Sequence, residues 1–199
     1  MRRPSAAKSG PTTRDRILNA AIHHFSRQSY EKVGLRDIAA DASVDVAYVH
    51  RCFGSKEKLF GETLAATLPS VELLISSATS DLAGDLAKHV FAPKKSKGPK
   101  TPLDIIHRSL SSPDASRVIR DFVRNDFIDP LSEHTPPTRA AVVAALVIGM
   151  GILRDVLHID LLLEAKGGDL EQILTHTLKG IMAGTRASPG SLSLRKDNP

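Results

Sequence analysis

One cysteine, Cys52, stands alone in the 199-residue chain, so no internal disulfide can form. No apolar run reaches the roughly 18 residues that a membrane-spanning helix needs. The longest candidate, AAVVAALVIGMGIL at 140–153, suits a buried core or interface helix. Alternating strand patterns and Asn-Gly hairpin turns are missing, which argues against a sheet. The eight histidines (His23, His24, His50, His89, His107, His134, His158 and His176) have neither H-E-x-x-H nor H-x-H spacing, so no metal site is expected. A G-x-S-x-G elbow, a Walker loop and a dinucleotide fingerprint are also absent, so neither an enzyme nor a bound cofactor is expected. The opening residues, MRRPSAAKSGPTTR, carry basic groups with no apolar stretch behind them. That is no secretory signal, and a cytoplasmic location without membrane contact is the expectation.

What is present is ordinary bulk with an uneven charge. Hydrophobic residues make up 41% and charged residues 25%, as in a soluble globular protein. The length allows one large domain, or a small one joined to a larger one. Residues 1–60 hold 11 Lys/Arg against 6 Asp/Glu, whereas 61–199 hold 16 of each. The whole net charge of +5 therefore sits in the first third. That fits a polyanion-binding head on a neutral body, or a soluble protein with a basic tail; charge alone does not choose.

Helical spacing runs through the chain, and the predicted fold class is all-α. Residues 1–12 form a flexible basic tail by composition. From Thr13, capped by Thr12 or Thr13, the residues Ile17, Leu18, Ala21, Ile22 and Phe25 share a helix face. Leu35, Ile38, Ala39 and Ala42 line a second short helix, and Val46, Val49 and Phe53 a third that Asp45 caps. Gly54-Ser55 breaks the pattern before a helix from Lys56 that Pro69 should kink or stop. Helices follow at Val71–Val90, Leu103–Leu110, Ala115–Phe127 and from Pro137 to about His158, with a loop at 92–102. A last helix, capped by Asp169, carries Leu170, Ile173, Leu174, Leu178, Ile181 and Met182. The divisions expected are a head at 13–60, a helical body at 61–186 and a loose tail at 187–199.

The second and third helices, joined by a tight break, make a helix-turn-helix. Ala39 is small where the helices cross, Val44 plugs the turn into the core, and Val49 anchors the third helix from below. The opposite face then carries Asp45, Ala47, Tyr48 and Arg51, which a major groove can accept. Lys56, at the start of the next helix, joins free backbone N–H groups in a phosphate site. Thr13, opening the first helix, is a further candidate contact. Arg36 either reaches DNA or sits solvated on its own helix. Tyr48 faces the groove, since Val49 and Phe53 already supply the buried side. Cys52 is read as a small filler rather than a redox switch.

The stretch TRDRILNAAIHHFSRQSYEKVGLRDIAADASVDVAYVHRCFGSKEKLF resembles the DNA-binding domain of TetR-type transcriptional regulators, the tetracycline-repressor-like family. Phe25, Tyr30, Ile38-Ala39, Ala42, Val44, Val49, Phe53 and SKEKL stand at matching positions. Departures are Ser29 before Tyr30, Ser43 for the turn glycine, Asp45 for the cap serine, Cys52 before Phe53, and a tyrosine two residues early at Tyr48. His50 stands where the family has a phosphate-binding tyrosine, so the resemblance implies that role for it. A serine at 43 should cost about 1 kcal/mol if the left-handed turn is kept.

Residues 140–157 are apolar nearly all round, which requires cover on several sides. The cover is the chain's own core, or that core together with a second copy. With the last helix it would form the four-helix dimer interface that the resemblance implies, through Val143, Val147, Ile148, Gly151, Leu174, Leu178 and Ile181. The expected function is a homodimeric repressor on a palindromic double-stranded DNA operator. A small-molecule effector of unknown identity, held between Leu59 and Phe127, would release it; no ligand-binding residue can be named. The alternative is an architectural DNA-binding protein without an effector.

Overall fold

The computed structural model describes residues 10–67, 81–92, 102–163 and 167–184. The tail expected up to residue 9, the break at Pro69, the loop over 93–101 and the tail from 187 lie outside the described residues. Among the described residues every element is helical, and no helix is long and apolar enough to cross a membrane.

The head holds α1 (Thr13–Phe25), a 3-10 turn (Tyr30–Lys32), α2 (Leu35–Asp41), α3 (Val46–Phe53) and α4 (Lys56–Thr67). Thr12 caps α1: its hydroxyl accepts from the Asp15 N–H at 3.2 Å, and the Asp15 carboxylate accepts from the Thr12 N–H at 2.9 Å. Ile17, Ala21 and Phe25 turn one face of α1 into the core. There Phe25, Tyr30 and Phe60 pack together, with Phe25 and Tyr30 at 4.9 and 5.1 Å from the Phe60 ring centroid.

The break between α2 and α3 has a definite construction. The Ser43 N–H donates to the Ala40 carbonyl and the Val44 N–H to the Ala39 carbonyl, both at 3.0 Å. This is a Schellman closure, which places the residue after the helix cap in the left-handed region. Ser43 occupies that place with φ 54°. The closure swings Val44 back onto the core and starts α3 at a fixed angle to α2.

The body holds α5 (Leu82–Phe91), α6 (Pro102–Ser109), α7 (Pro113–Val123), α8 (Asp129–Ser132), α9 (Pro137–Gly151) and α10 (Asp169–Ala183). A π-type segment, Arg124–Ile128, joins α7 to α8, and another, Ile152–Val156, extends α9. The helices expected to run unbroken through 115–127 and to His158 are thus widened locally. The final helix is capped by Gly168, and Asp169 is its first helical residue rather than its cap. An acid there still suits the positive end of the helix. Residues on α10 pack against α5 and α9, and α7 packs against α4, which joins body to head. At that joint a Cβ added at Gly61 would lie 3.4 Å from Val118 Cγ1, an ordinary contact.

Candidate nucleic-acid interface

The third helix is set on the head by its buried side. Val49 and Phe53 are enclosed, and Cys52 packs half-buried against the same core. Ala47, His50 and Arg51 are exposed, and Tyr48 is 36% exposed. The Asp45 carboxylate accepts from the Ala47 N–H at 2.6 Å, which fixes the first turn of α3. Tyr48 and Arg51 meet on the outward side, the guanidinium 5.2 Å from the ring centroid. They form one planar, cationic unit that can lie against base edges.

His50 is held differently from a free side chain. Its Nδ1 lies 3.1 Å from the Gly54 carbonyl, which can only accept, so Nδ1 carries the hydrogen. In the neutral ring Nε2 is then an acceptor. A phosphate oxygen needs a donor, so the ring serves a phosphate only when protonated. A tyrosine at this place would donate in its neutral form.

The remaining sequence-predicted contacts flank α3. Arg36 is exposed in the first turn of α2. Thr13 opens α1, half-buried, with an Arg16 guanidinium nitrogen 3.4 Å from its hydroxyl. Lys56 opens α4, whose N-terminus Ser55 caps by accepting from the Lys58 N–H at 3.2 Å. The Lys56 side chain does not project freely. Its ammonium sits 4.3 Å from the Tyr30 ring centroid. Burial pushes that ammonium below its usual range, although the carboxylates of Glu31, Glu57 and Asp114 act the other way. Glu57 is itself held below the usual carboxylate range, first by a hydrogen bond from Ser55. Burial and the nearby Glu57 push the Tyr30 phenol up.

Two groups escaped the sequence reading. Arg14 lies 4.6 Å from the Phe53 ring centroid and pairs with Glu62, so it ties α1 to both α3 and α4. Ser112, at the start of α7, donates its hydroxyl to Glu31 and accepts from the Ala115 N–H at 3.3 Å. The first contact spans 81 positions and has no local signature in the sequence.

The expected dimer residues divide. Val143, Leu174 and Leu178 are buried by the chain's own helices, so they cannot face a partner. Gly151 is also turned inward: a Cβ there would fall 2.5 Å from Leu103 Cδ1 on α6. Val147, Ile148 and Ile181 are half-buried. The apolar surface left open on these helices is instead Val142 and Leu153, with Ile173 60% exposed. Gly149 and Gly180 have nothing near the place of a Cβ. Among the described residues no cluster of His, Cys, Asp and Glu has the make-up of a metal site.

Comparison with known proteins adds a separate line of observation. Residues 17–63 match the family described as "Bacterial regulatory proteins, tetR family", and residues 80–182 match "Tetracyclin repressor-like, C-terminal domain". A curated relative, the HTH-type transcriptional regulator BetI of Agrobacterium fabrum, is 26% identical, the match covering 92% of this chain and 97% of that one. A crystal structure of the multidrug binding protein EbrR complexed with ethidium superposes with a TM-score of 0.61 at 20% identity, over 86% of this chain and 99% of that one. NalD of Pseudomonas aeruginosa, described as the secondary repressor of the MexAB-OprM multidrug efflux pump, gives 0.55 at 22% identity, over 86% and 95%.

Proposed function

The chain belongs to the TetR family of bacterial regulatory proteins, and from that premise we propose that it is a homodimeric repressor that leaves a palindromic operator when a small molecule binds the body. The observation that carries the DNA reading is the outward side of α3. Its Tyr48–Arg51 unit stands free of the core, fixed from below by Val49 and from one end by Asp45. A helix so held fits a major groove, and twofold symmetry of two such heads calls for an inverted repeat. Arg51 and Tyr48 contact bases, while Thr13, Arg36, His50 and the start of α4 at Lys56 contact phosphates. Asp45 and Ala47 frame the approach, one as cap and the other as a small residue that lets the helix come close.

The effector half of the proposal is supported by relatives. EbrR was crystallised with ethidium, and NalD is a repressor of an efflux pump. By analogy the body of this chain holds an organic small molecule, and binding there alters the spacing of the two heads. Such coupling amounts to about 1–3 kcal/mol, or 5- to 150-fold in operator affinity.

Selection of bound duplexes from a random pool, followed by footprinting, tests the first half. The expected product is an inverted repeat whose half-sites are spaced by whole turns of about 34 Å. Binding without sequence preference would favour an architectural role instead. A panel of organic cations, beginning with ethidium, then tests release; if no compound weakens operator binding, the effector half fails.

A further inference from the structure

We propose that His50 meets the DNA backbone only as the imidazolium, so that each head takes up a proton when it binds and holds DNA more tightly as the solution is acidified. The inference rests on the reading of the chain as a DNA-binding regulator and adds a proton to that same surface.

The place of the ring follows from the helix. Successive residues turn about 100° around an α-helix. His50 therefore stands about 100° round α3 from Arg51, exposed, on the flank of the outward side rather than at its centre. A helix about 10–12 Å across fills a major groove about 12 Å wide, so side chains on its flank meet the sugar–phosphate walls. A second cation stands there. Lys58 is exposed, and its Nζ lies 3.8 Å from the place of a Cβ on Gly54.

The tautomer follows from one bond. Gly54 ends α3 at φ 81°, and its carbonyl lies 3.1 Å from His50 Nδ1. A carbonyl only accepts, so Nδ1 keeps its hydrogen in either charge state. The ring atom left for a further partner is Nε2. In the neutral ring it carries a lone pair, which repels a phosphate oxygen. Protonation makes it a charged donor and leaves the Gly54 bond intact. The other neutral tautomer would turn the Nδ1 lone pair onto the Gly54 carbonyl. The proton comes from solvent and stays on Nε2, and no bond of the DNA changes.

The charged groups on and around α3 have their own partners or stand in solvent. On α3 the Asp45 carboxylate caps the first turn, and Arg51 lies over Tyr48. From α1, Arg14 lies over Phe53 and pairs with Glu62 of α4. From α2, Arg36 is exposed, Asp37 turns back over Gly34, and Asp41 pairs with His24 at 2.8 Å. From α4, Lys56 lies over Tyr30, and Glu57 accepts from Ser55. Among the described residues none of these carboxylates pairs with the His50 ring. An acid paired to the ring would hold it charged with or without DNA and remove the coupling. Here the phosphate is the anion that the charged ring meets, so protonation and DNA binding favour each other. Affinity is therefore highest in acid and falls across the range where imidazoles lose their charge, about pH 5 to 8.

The test measures the full chain on the selected duplex between about pH 5.5 and 8.5 at fixed salt, with helical melts of each variant over the same range. Affinity is expected to fall about tenfold per head, the scale on which one nearby opposite charge favours a protonated imidazole. Calorimetry in two buffers of different protonation enthalpy should show uptake of up to about one proton per head. His50→Tyr, whose phenol donates while neutral, should bind independently of pH and more tightly than the unaltered protein in alkali. His50→Phe, with no donor, should bind at every pH about as weakly as the unaltered protein does in alkali. His23→Gln and His24→Gln, elsewhere in the head, should keep the full pH dependence. The inference is overturned if the unaltered protein binds equally across the range, or if the dependence survives both His50 changes. It is overturned too if His24→Gln abolishes the dependence, since the proton is then held against Asp41. Should the unaltered protein bind no duplex at any pH, the functional reading itself fails, an outcome distinct from these.

Discussion

Two of the surfaces that the described residues leave uncovered are opposite in kind. The outward side of α3 presents Ala47, Tyr48, His50 and Arg51, polar or small groups that water solvates well. The outward sides of α9 and α10 present Val142, Leu153 and Ile173, whose exposure to water is unfavourable at about 25 cal/mol per Å². The first surface can wait for its partner in solution. The second gains stability only when something covers it. A polyanion and a second copy of the chain are the occupants that match, and the inventory of side chains distinguishes them before any partner is seen.

The largest expected effects come from setting charge on the second surface and just beneath it. Gly149→Glu and Ile173→Glu place a carboxylate where the chain itself has open space or water. Both variants should fold as monomers and lose operator binding, because leaving a charge unpaired in an interface costs about 3–5 kcal/mol. Gly151→Glu differs by two residues and faces Leu103 inside the body. It should prevent folding rather than assembly. Sedimentation and helical melts on the three proteins separate the two outcomes. A cleanly dimeric Ile173→Glu protein would remove α10 from the interface.

This contrast also marks what could be read in the sequence. The helices of the head follow from apolar spacing, and Asp45 as the cap of α3 follows from residue type. The facing of α9 does not. Its stretch from Ala140 to Gly151 is apolar on every side, so periodicity has no preferred direction, and Gly151 and Val143, expected at a partner, point into the chain's own core. Nor could the place of Lys56 be read. Its ammonium lies over Tyr30, whose turn is tied through Glu31 to Ser112 of a distant helix, and only the packing of α7 on α4 brings these together. The π-type widening at Arg124–Ile128 precedes Pro130, which lacks an N–H for the helical ladder. The proline was visible, but a break and a widening look alike before packing selects one.

On the first surface the effects should be smaller and should alter sequence choice. Arg51→Ala and Tyr48→Ala each remove half of one stacked unit. Each is expected to cost about 1–3 kcal/mol on the preferred operator and much less on unrelated DNA. The pair should be strongly non-additive, since either change frees the other residue from its stacking partner. Repeating the duplex selection with both variants gives the check. Loss of affinity by the same factor on all sequences would move these residues from base reading to the backbone.

The smallest effect concerns the backbone that aims α3. Ser43 and His158 are the described non-glycine residues with positive φ, at 54° and 52°, one in the head and one in the body. A side chain in that region costs about 1–2 kcal/mol relative to glycine. Glycine also adds freedom to the unfolded chain, which returns about 0.4–1 kcal/mol. Ser43→Gly should therefore stabilise the protein by a net ~0.5–1 kcal/mol, a rise of about 2–3 °C in Tm for a chain of this size. Operator affinity should not change, because both bonds of the Schellman closure are made by backbone groups that glycine retains. His158→Gly relieves the same strain but removes the imidazole whose Nδ1 donates to the Val156 carbonyl at 3.1 Å, so its net effect should be close to zero. Calorimetry on the two variants side by side measures the difference. A stabilising His158→Gly with a neutral Ser43→Gly would mean that the tighter constraint lies after α9, not at the turn that presents the recognition helix.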